Sequence, residues 1–168
     1  MGNTSTFGSA VAMELEAETA ATRKCLERIP EHLFDWKPHV RSMSLGDLSL
    51  LVSEMPKWIS TTISESGIDF ASFDHFAATT TAELVTHFDE NVAGARSALS
   101  HASDATFDES FDLKNNGQIV LAAPKKDHIS SMMNHLVHHR GQLTVYMRLN
   151  DILVPSIYGP SADDKGQF

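Results

Sequence analysis

Asn134-His135-Leu136-Val137-His138-His139-Arg140-Gly141-Gln142-Leu143 is the stretch from which the rest of the chain is read. At about 100° per residue, with His135 set at zero, Met132, Leu136 and Leu143 fall at about +60° to +100°. His139 falls at about +40° and His138 at about −60° on the same wheel. The spacing therefore predicts an amphipathic helix with His139 turned toward the apolar stripe, His135 at its edge and His138 toward solvent. Two imidazoles at i and i+4 can hold one divalent metal ion from a single helix face. The same spacing suits two half-buried, hydrogen-bonded histidines, so both readings stay open. This helix is expected to start near Pro124, a good first-turn residue, and to end near Asn150.

Three more segments carry helical periodicity. The first runs from about Ser9 to Arg28, with Val11, Leu15, Thr22, Leu26 and Ile29 on one stripe and Glu14, Glu16, Glu18, Arg23, Lys24 and Glu27 covering the rest. Pro30 ends it. The second begins at Ser44, where Ser44 and Asp47 make an N-cap with an acidic first turn. Pro56 lies inside its stripe and is expected to kink or split it. The third starts near Thr80, with a Thr-x-x-Glu capping box closed by Glu83. Residues 66–79 read as a loop. Asn116-Gly117, flanked by Phe111, Leu113, Ile119 and Leu121, predicts a small hairpin near 111–121. The tail from Val154 to Ser161 is punctuated by proline and glycine and is not helical. The expected architecture is one all-α domain over residues 1–168, a four-helix bundle with long connections.

Composition bounds the function. The chain has 168 residues, a length of about one domain, and can bury a core without covalent staples. Lys+Arg 13 against Asp+Glu 22 gives a formal net charge of −9, which argues against nucleic acid as a partner. One cysteine, Cys25, excludes an internal disulfide framework and points to a reducing cytoplasm. No apolar run is long enough for a membrane span, and the N-terminus has no signal-peptide pattern. Met-Gly-x-x-x with Ser5 and Thr6 only loosely fits a myristoylation pattern and is read as chance.

Nucleophile and nucleotide motifs are absent: there is no Gly-x-Ser-x-Gly elbow, no P-loop and no Gly-x-Gly-x-x-Gly. No catalytic residue and no organic-cofactor site is assigned. Cys25 is read as structural. Of the nine histidines, His128 is read as a first-turn solvent residue, too far along the helix to share an ion with His139. His87 is read as a boundary residue of the third helix. His32, His39, His75 and His101 fall in loops or at helix ends. Glu54 and Asp47 are candidate site carboxylates, with a solvated surface as the alternative.

Residues 134–148, followed by Val154-Pro155-Ser156-Ile157-Tyr158-Gly159-Pro160-Ser161-Ala162-Asp163-Asp164, resemble the C-terminal signature of the DinB-like damage-inducible superfamily. Phe34-Asp35-Trp36-Lys37-Pro38-His39, Ser42-Met43-Ser44-Leu45-Gly46 and Val52-Ser53-Glu54-Met55-Pro56-Lys57-Trp58 agree with it in order along the chain. The resemblance implies an up-down-down-up four-helix bundle, a homodimer, and a divalent metal, nickel or zinc, held by three histidines. Two of these match His135 and His139. Some relatives are metal-dependent transferases or isomerases that use small thiols, and Tyr158 would help close the cavity. The third histidine belongs to a second-helix pattern Leu-x-x-His-Val-x-Glu-x-Pro, where this chain has Leu51 in the histidine's place. Leucine cannot ligate a metal. The expected site is therefore His135 and His139 with Glu54, one turn on from Leu51, as a substitute carboxylate. The metal is then weakly held or absent. The expected function is a metal-dependent enzyme acting on a small thiol or electrophile, or a non-catalytic small-molecule-binding or interaction protein built on the same fold.

Overall fold

The computed structural model describes residues 6–74 and 76–166. The N-terminal Met-Gly pattern and His75 lie outside the described residues. Four long helices carry most of the chain: α1 (Thr6–Glu27), α2 (Leu45–Ser64), α3 (Thr81–His101) and, after one short helix, α4 (Asp104–Asp108), the long α5 (Lys125–Leu149). The expected caps are present. Ser44 Oγ accepts from the Asp47 N–H at 3.0 Å, and Thr80 with Glu83 forms a complete capping box.

The expected all-α bundle with a small hairpin near 111–121 is corrected in one respect: the hairpin is part of a three-stranded sheet. β1 (Gly67–Asp69) pairs in parallel with β2 (Ser110–Asn115), and β2 pairs antiparallel with β3 (Gln118–Pro124). The hairpin lies where the sequence placed it. Asn116 and Gly117 both take positive φ, 51° and 76°, as the tight turn requires. β1 falls in the stretch read as a loop. Backbone bonds from the Phe70 N–H to the Lys114 carbonyl at 2.9 Å and from the Asp112 N–H to the Ser66 carbonyl at 3.0 Å join it to β2, and the Asp69 carboxylate accepts the N–H groups of Asn116 at 3.0 Å and Gly117 at 2.6 Å. A three-residue strand held by such a distant contact has no periodicity to detect.

α2 runs unbroken through Pro56, so of the expected kink or split the split does not occur. Proline removes one intrahelical donor and crowds the preceding turn. Pro56 is buried, and the Asn91 amide on α3 donates to the Ser53 carbonyl at 3.0 Å, so packing holds the helix where the local sequence disfavours it.

The core is assembled from one stripe of each long helix, including Leu15, Leu48, Val52, Phe88, Leu136 and Leu143. Burying each such side chain is worth about 1.5–3 kcal/mol. α3 packs on both α1 and α2, and α5 packs on α2 and α1. Two contacts fix how α2 and α5 lie. Lys125 Nζ donates to the Ile63 carbonyl at 2.9 Å, and the Tyr146 hydroxyl donates to the Met43 carbonyl at 3.4 Å. The end of α2 is thus beside the start of α5, and the helices run antiparallel. At the far end of α1, Gly8 packs under the Leu99 carbonyl, where an added Cβ would lie 2.7 Å from that oxygen. Among the described residues no helix is long and apolar enough to cross a membrane.

Candidate functional site

α5 presents His135 and His139 one turn apart, as the wheel requires. Their ring centroids are 4.5 Å apart with planes tilted by 37°. His139 is half-buried, while His135 and His138 are exposed. Gln142 Oε1 lies 2.8 Å from His139 Nδ1. With that oxygen accepting, Nδ1 carries the proton and Nε2 keeps its lone pair. Partial desolvation of the His135 ring, and then the neighbouring His139 and His138, push its pKa below the ordinary value. A neutral His135 beside a fixed His139 is chemically able to accept a hydrogen bond or donate a lone pair to a metal.

What stands opposite the pair follows from the α2–α5 anchors. From Met43 to Ile63 is 20 residues and from Tyr146 to Lys125 is 21, so the two helices advance in step. Leu51 then comes level with His138, and Glu54 level with His135. Leu51 is half-buried and packs against the core. Its side chain offers no ligand atom.

Glu54 is not the surface carboxylate that its flanking sequence allows. It is 1% exposed, and its Oε1 accepts the Phe76 backbone N–H at 2.9 Å. The same oxygen is 3.7 Å from His87 Nε2. Phe76 stacks on the His87 ring with centroids 4.1 Å apart and planes 13° apart. The structure thus brings Glu54 together with His87 on α3 and with the loop before it. Burial lowers the His87 pKa, with Glu54 pulling the other way. Among the described residues no group of three or more His, Cys, Asp or Glu side chains is arranged to hold a metal ion, so the set His135, His139 and Glu54 is not assembled in this arrangement. Asp47, the other candidate carboxylate, is exposed in the first turn of α2.

Two further histidine and cysteine readings are settled by burial. His128 was expected in solvent but is buried, with Nε2 3.1 Å from the Phe111 carbonyl of β2. The sequence placed this hairpin but not its packing against the start of α5. Cys25 is fully buried, and burial raises its thiol to about 11, so it is structural as expected.

The largest polar feature escaped the helical wheel. Arg140, 1% exposed, is paired with the Glu18 carboxylate of α1 and donates to Thr22 Oγ1 at 3.0 Å. It also donates to the Tyr158 hydroxyl at 2.7 Å. That hydroxyl donates in turn to Glu18 at 3.0 Å. The C-terminal segment is thereby tied to the residue following His139. The signal available in the sequence was the Arg140 and Tyr158 content of the two C-terminal motifs. Glu18 carried none, because it sits among other acidic residues of α1.

The DinB family profile matches residues 1–166. A curated relative, the uncharacterised protein YrdA of Bacillus subtilis (strain 168), is 46% identical over 37 residues. That match covers 22% of this chain and 22% of the relative, so the likeness spans well under two thirds of the relative's length. The DinB-like protein YjoA of Bacillus subtilis superposes with a TM-score of 0.68 at 16% identity, covering 94% of this chain and 99% of that one. A DinB-like protein of Bacillus cereus ATCC 10987 superposes with a TM-score of 0.69 at 21% identity, covering 89% of this chain and 97% of that one. At these identities the solved structures speak for the fold alone.

Proposed function

The chain belongs to the DinB family, and from that premise we propose that it is a small-molecule-binding member in which a three-histidine metal centre is reduced to the His135–His139 pair. The end-to-end helix contacts support an up-down-down-up bundle as its frame. The observation that carries the reading is the missing third ligand. Leu51 occupies the level of the pair, and the carboxylate of Glu54 is held by the Phe76 N–H and faces His87. The residues present do not fit a three-ligand metal centre, so no reaction step is derived through one. Met43, Asp47, Leu50, Leu51 and Glu54 line a groove of about 300 Å³ along α2, large enough for a small ligand. A low-molecular-weight thiol suits this chemistry. Leu50 and Leu51 offer the thiol apolar contact in that groove, and in this proposal His135, which comes level with Glu54 on α5, accepts its hydrogen bond.

A second reading, a metal-dependent enzyme, has one specific observation in its favour. Gln142 fixes the His139 tautomer as an outer-sphere partner of a metal ligand does. The two readings are separated by titrating chelator-treated protein with nickel and zinc. The proposal expects no metal binding that depends on His139 in the wild type. It expects at least tenfold tighter binding in Leu51→His, lost again when His139→Ala is added. Stoichiometric metal in the wild type that disappears in His139→Ala would overturn the proposal in favour of the enzyme, and thiol-transfer assays would follow.

A further inference from the structure

Asn116-Gly117 is the one Asn-Gly pair among the six asparagines of the chain. Attack of the Gly117 nitrogen on Asn116 Cγ closes a five-membered ring, and glycine puts no side chain in the way of its own nitrogen. Both residues are exposed at the tip of the β2–β3 hairpin, so base and water reach them. Their positive φ values suit the tight turn, so the pair that the hairpin needs is also a pair open to loss of its amide.

The turn is held from outside the hairpin. Asp69 Oδ1 accepts the Asn116 N–H at 3.0 Å, and Oδ2 accepts the Gly117 N–H at 2.6 Å. The Ala71 N–H, which donates to Oδ1 at 2.9 Å, together with the Gly117 and Asn116 N–H groups, holds the Asp69 carboxyl below its ordinary pKa. Asp69 is therefore ionised at neutral pH.

We propose that Asn116 is a site of spontaneous deamidation through a cyclic imide, and that the Asp69 carboxylate gates the reaction by holding both amides of the turn. A solvent base takes the Gly117 N–H proton, and the nitrogen bonds to Asn116 Cγ. The side-chain nitrogen then leaves as ammonia, with a proton supplied by water. A second water opens the imide at either carbonyl and leaves aspartate or isoaspartate at position 116.

Asp69 opposes the first two steps. Its Oδ2 holds the proton that must leave in a short, charge-assisted hydrogen bond. Its negative charge repels the amide anion that would remain. Ring closure also turns the peptide plane between Asn116 and Gly117, which two N–H groups anchored on one carboxylate resist. Either product places a second carboxylate beside Asp69, and isoaspartate adds a carbon to the main chain of the turn. Both changes work against the contact between β1 and the hairpin. The sequence shows the Asn-Gly pair, but only the pairing of β1 with β2 brings Asp69 to it.

The test is incubation of the full chain at mildly alkaline pH, followed by mass mapping of the asparagine-containing peptides and enzymatic counting of isoaspartate. Native wild type is compared with wild type in urea, Asp69→Asn, Asp69→Ala and Gly8→Ala. Asp69→Asn keeps an acceptor oxygen and removes the charge, and Asp69→Ala removes both. Asp69 is no member of the buried core, so both variants keep the bundle, and thermal midpoints check this. Gly8→Ala loosens the bundle without touching the turn. Modification of the native protein is expected at Asn116, about tenfold or more slower than in urea, the range that a hydrogen bond to a charged group supplies. Folded Asp69→Asn and Asp69→Ala should react about fivefold or more faster than native wild type, and Gly8→Ala within about twofold of it. Equal rates in native and unfolded wild type would overturn the proposal, as would folded Asp69 variants no faster than wild type. Modification mapped chiefly to another asparagine would overturn it as well. So would an equal acceleration in Gly8→Ala, since loss of stability alone would then suffice.

Discussion

The Tyr158 hydroxyl stands 2.7 Å from a guanidinium nitrogen of Arg140, so the C-terminal segment is locked to the helix that carries both site histidines. The ring of Tyr158 is 70% exposed while its hydroxyl reaches inward to Arg140 and Glu18. The residue is a surface strap with a partly buried polar end. Removing Arg140 leaves the Glu18 carboxylate without its buried counter-charge. Arg140→Ala is expected to cost about 3–5 kcal/mol, because breaking a buried pair strands the partner. Tyr158→Phe removes hydrogen bonds but strands no charge by itself, and about 1–2 kcal/mol is expected. Urea unfolding midpoints of the two variants check the order. Equal losses would mean the strap, not the ion pair, dominates.

The stability of the metal-free protein should fall as the solution is acidified. His87 and His135 both have pKa values below that of a free histidine, chiefly through desolvation. Between the ordinary value of about 6.5 and the lower folded values, the unfolded chain binds more protons than the folded one. Stability is therefore full above about pH 6.5 and declines as pH drops through that window. Thermal midpoints at constant ionic strength from pH 8 downward give the test. His87→Phe should flatten the slope, and an unchanged slope would show that His87 does not contribute.

Cys25 should resist thiol reagents in the native state. Its thiol is fully buried and raised to about 11, so almost no thiolate exists at neutral pH. Labelling with an aromatic disulfide should follow the unfolding curve in urea. Rapid labelling of native protein would mean that α1 opens locally near Cys25.

Gly8→Ala should loosen the end of the molecule where α1, α3 and α4 meet. The new methyl group would lie 2.7 Å from the Leu99 carbonyl oxygen and 3.2 Å from the Phe107 ring. Overpacking of this kind costs about 1–3 kcal/mol. Gly94→Ala on the outer face of α3 meets nothing within 4 Å and serves as the control. It should be neutral or stabilising.

Much of the frame was legible because it is local. The Ser44 cap, the Thr80–Glu83 box and the Asn116-Gly117 turn each depend on residues three or fewer positions apart. Pro56 does not split α2, because the buried face of that helix and the Asn91 contact outweigh the local penalty. His135 and His139 were brought together by helix pitch alone. Glu54 lies on α2 and meets the Phe76 N–H and His87, contacts that spacing along α2 does not indicate because it does not say which adjacent helix a side chain meets.

Four long helices, a hairpin at Asn116-Gly117, the i,i+4 imidazole pair and the absence of a histidine at Leu51 can all be read from consecutive residues. Backbone pitch, capping chemistry and apolar spacing are short-range properties, and each is written into a few consecutive residues. That β1 joins the hairpin, that His128 is covered, that Arg140 pairs with Glu18 and Tyr158, and that Glu54 faces His87 emerge from the packing of distant segments. Those relations join residues far apart in the chain, and their energies depend on burial and on which faces meet. Both quantities come into being only when the helices pack.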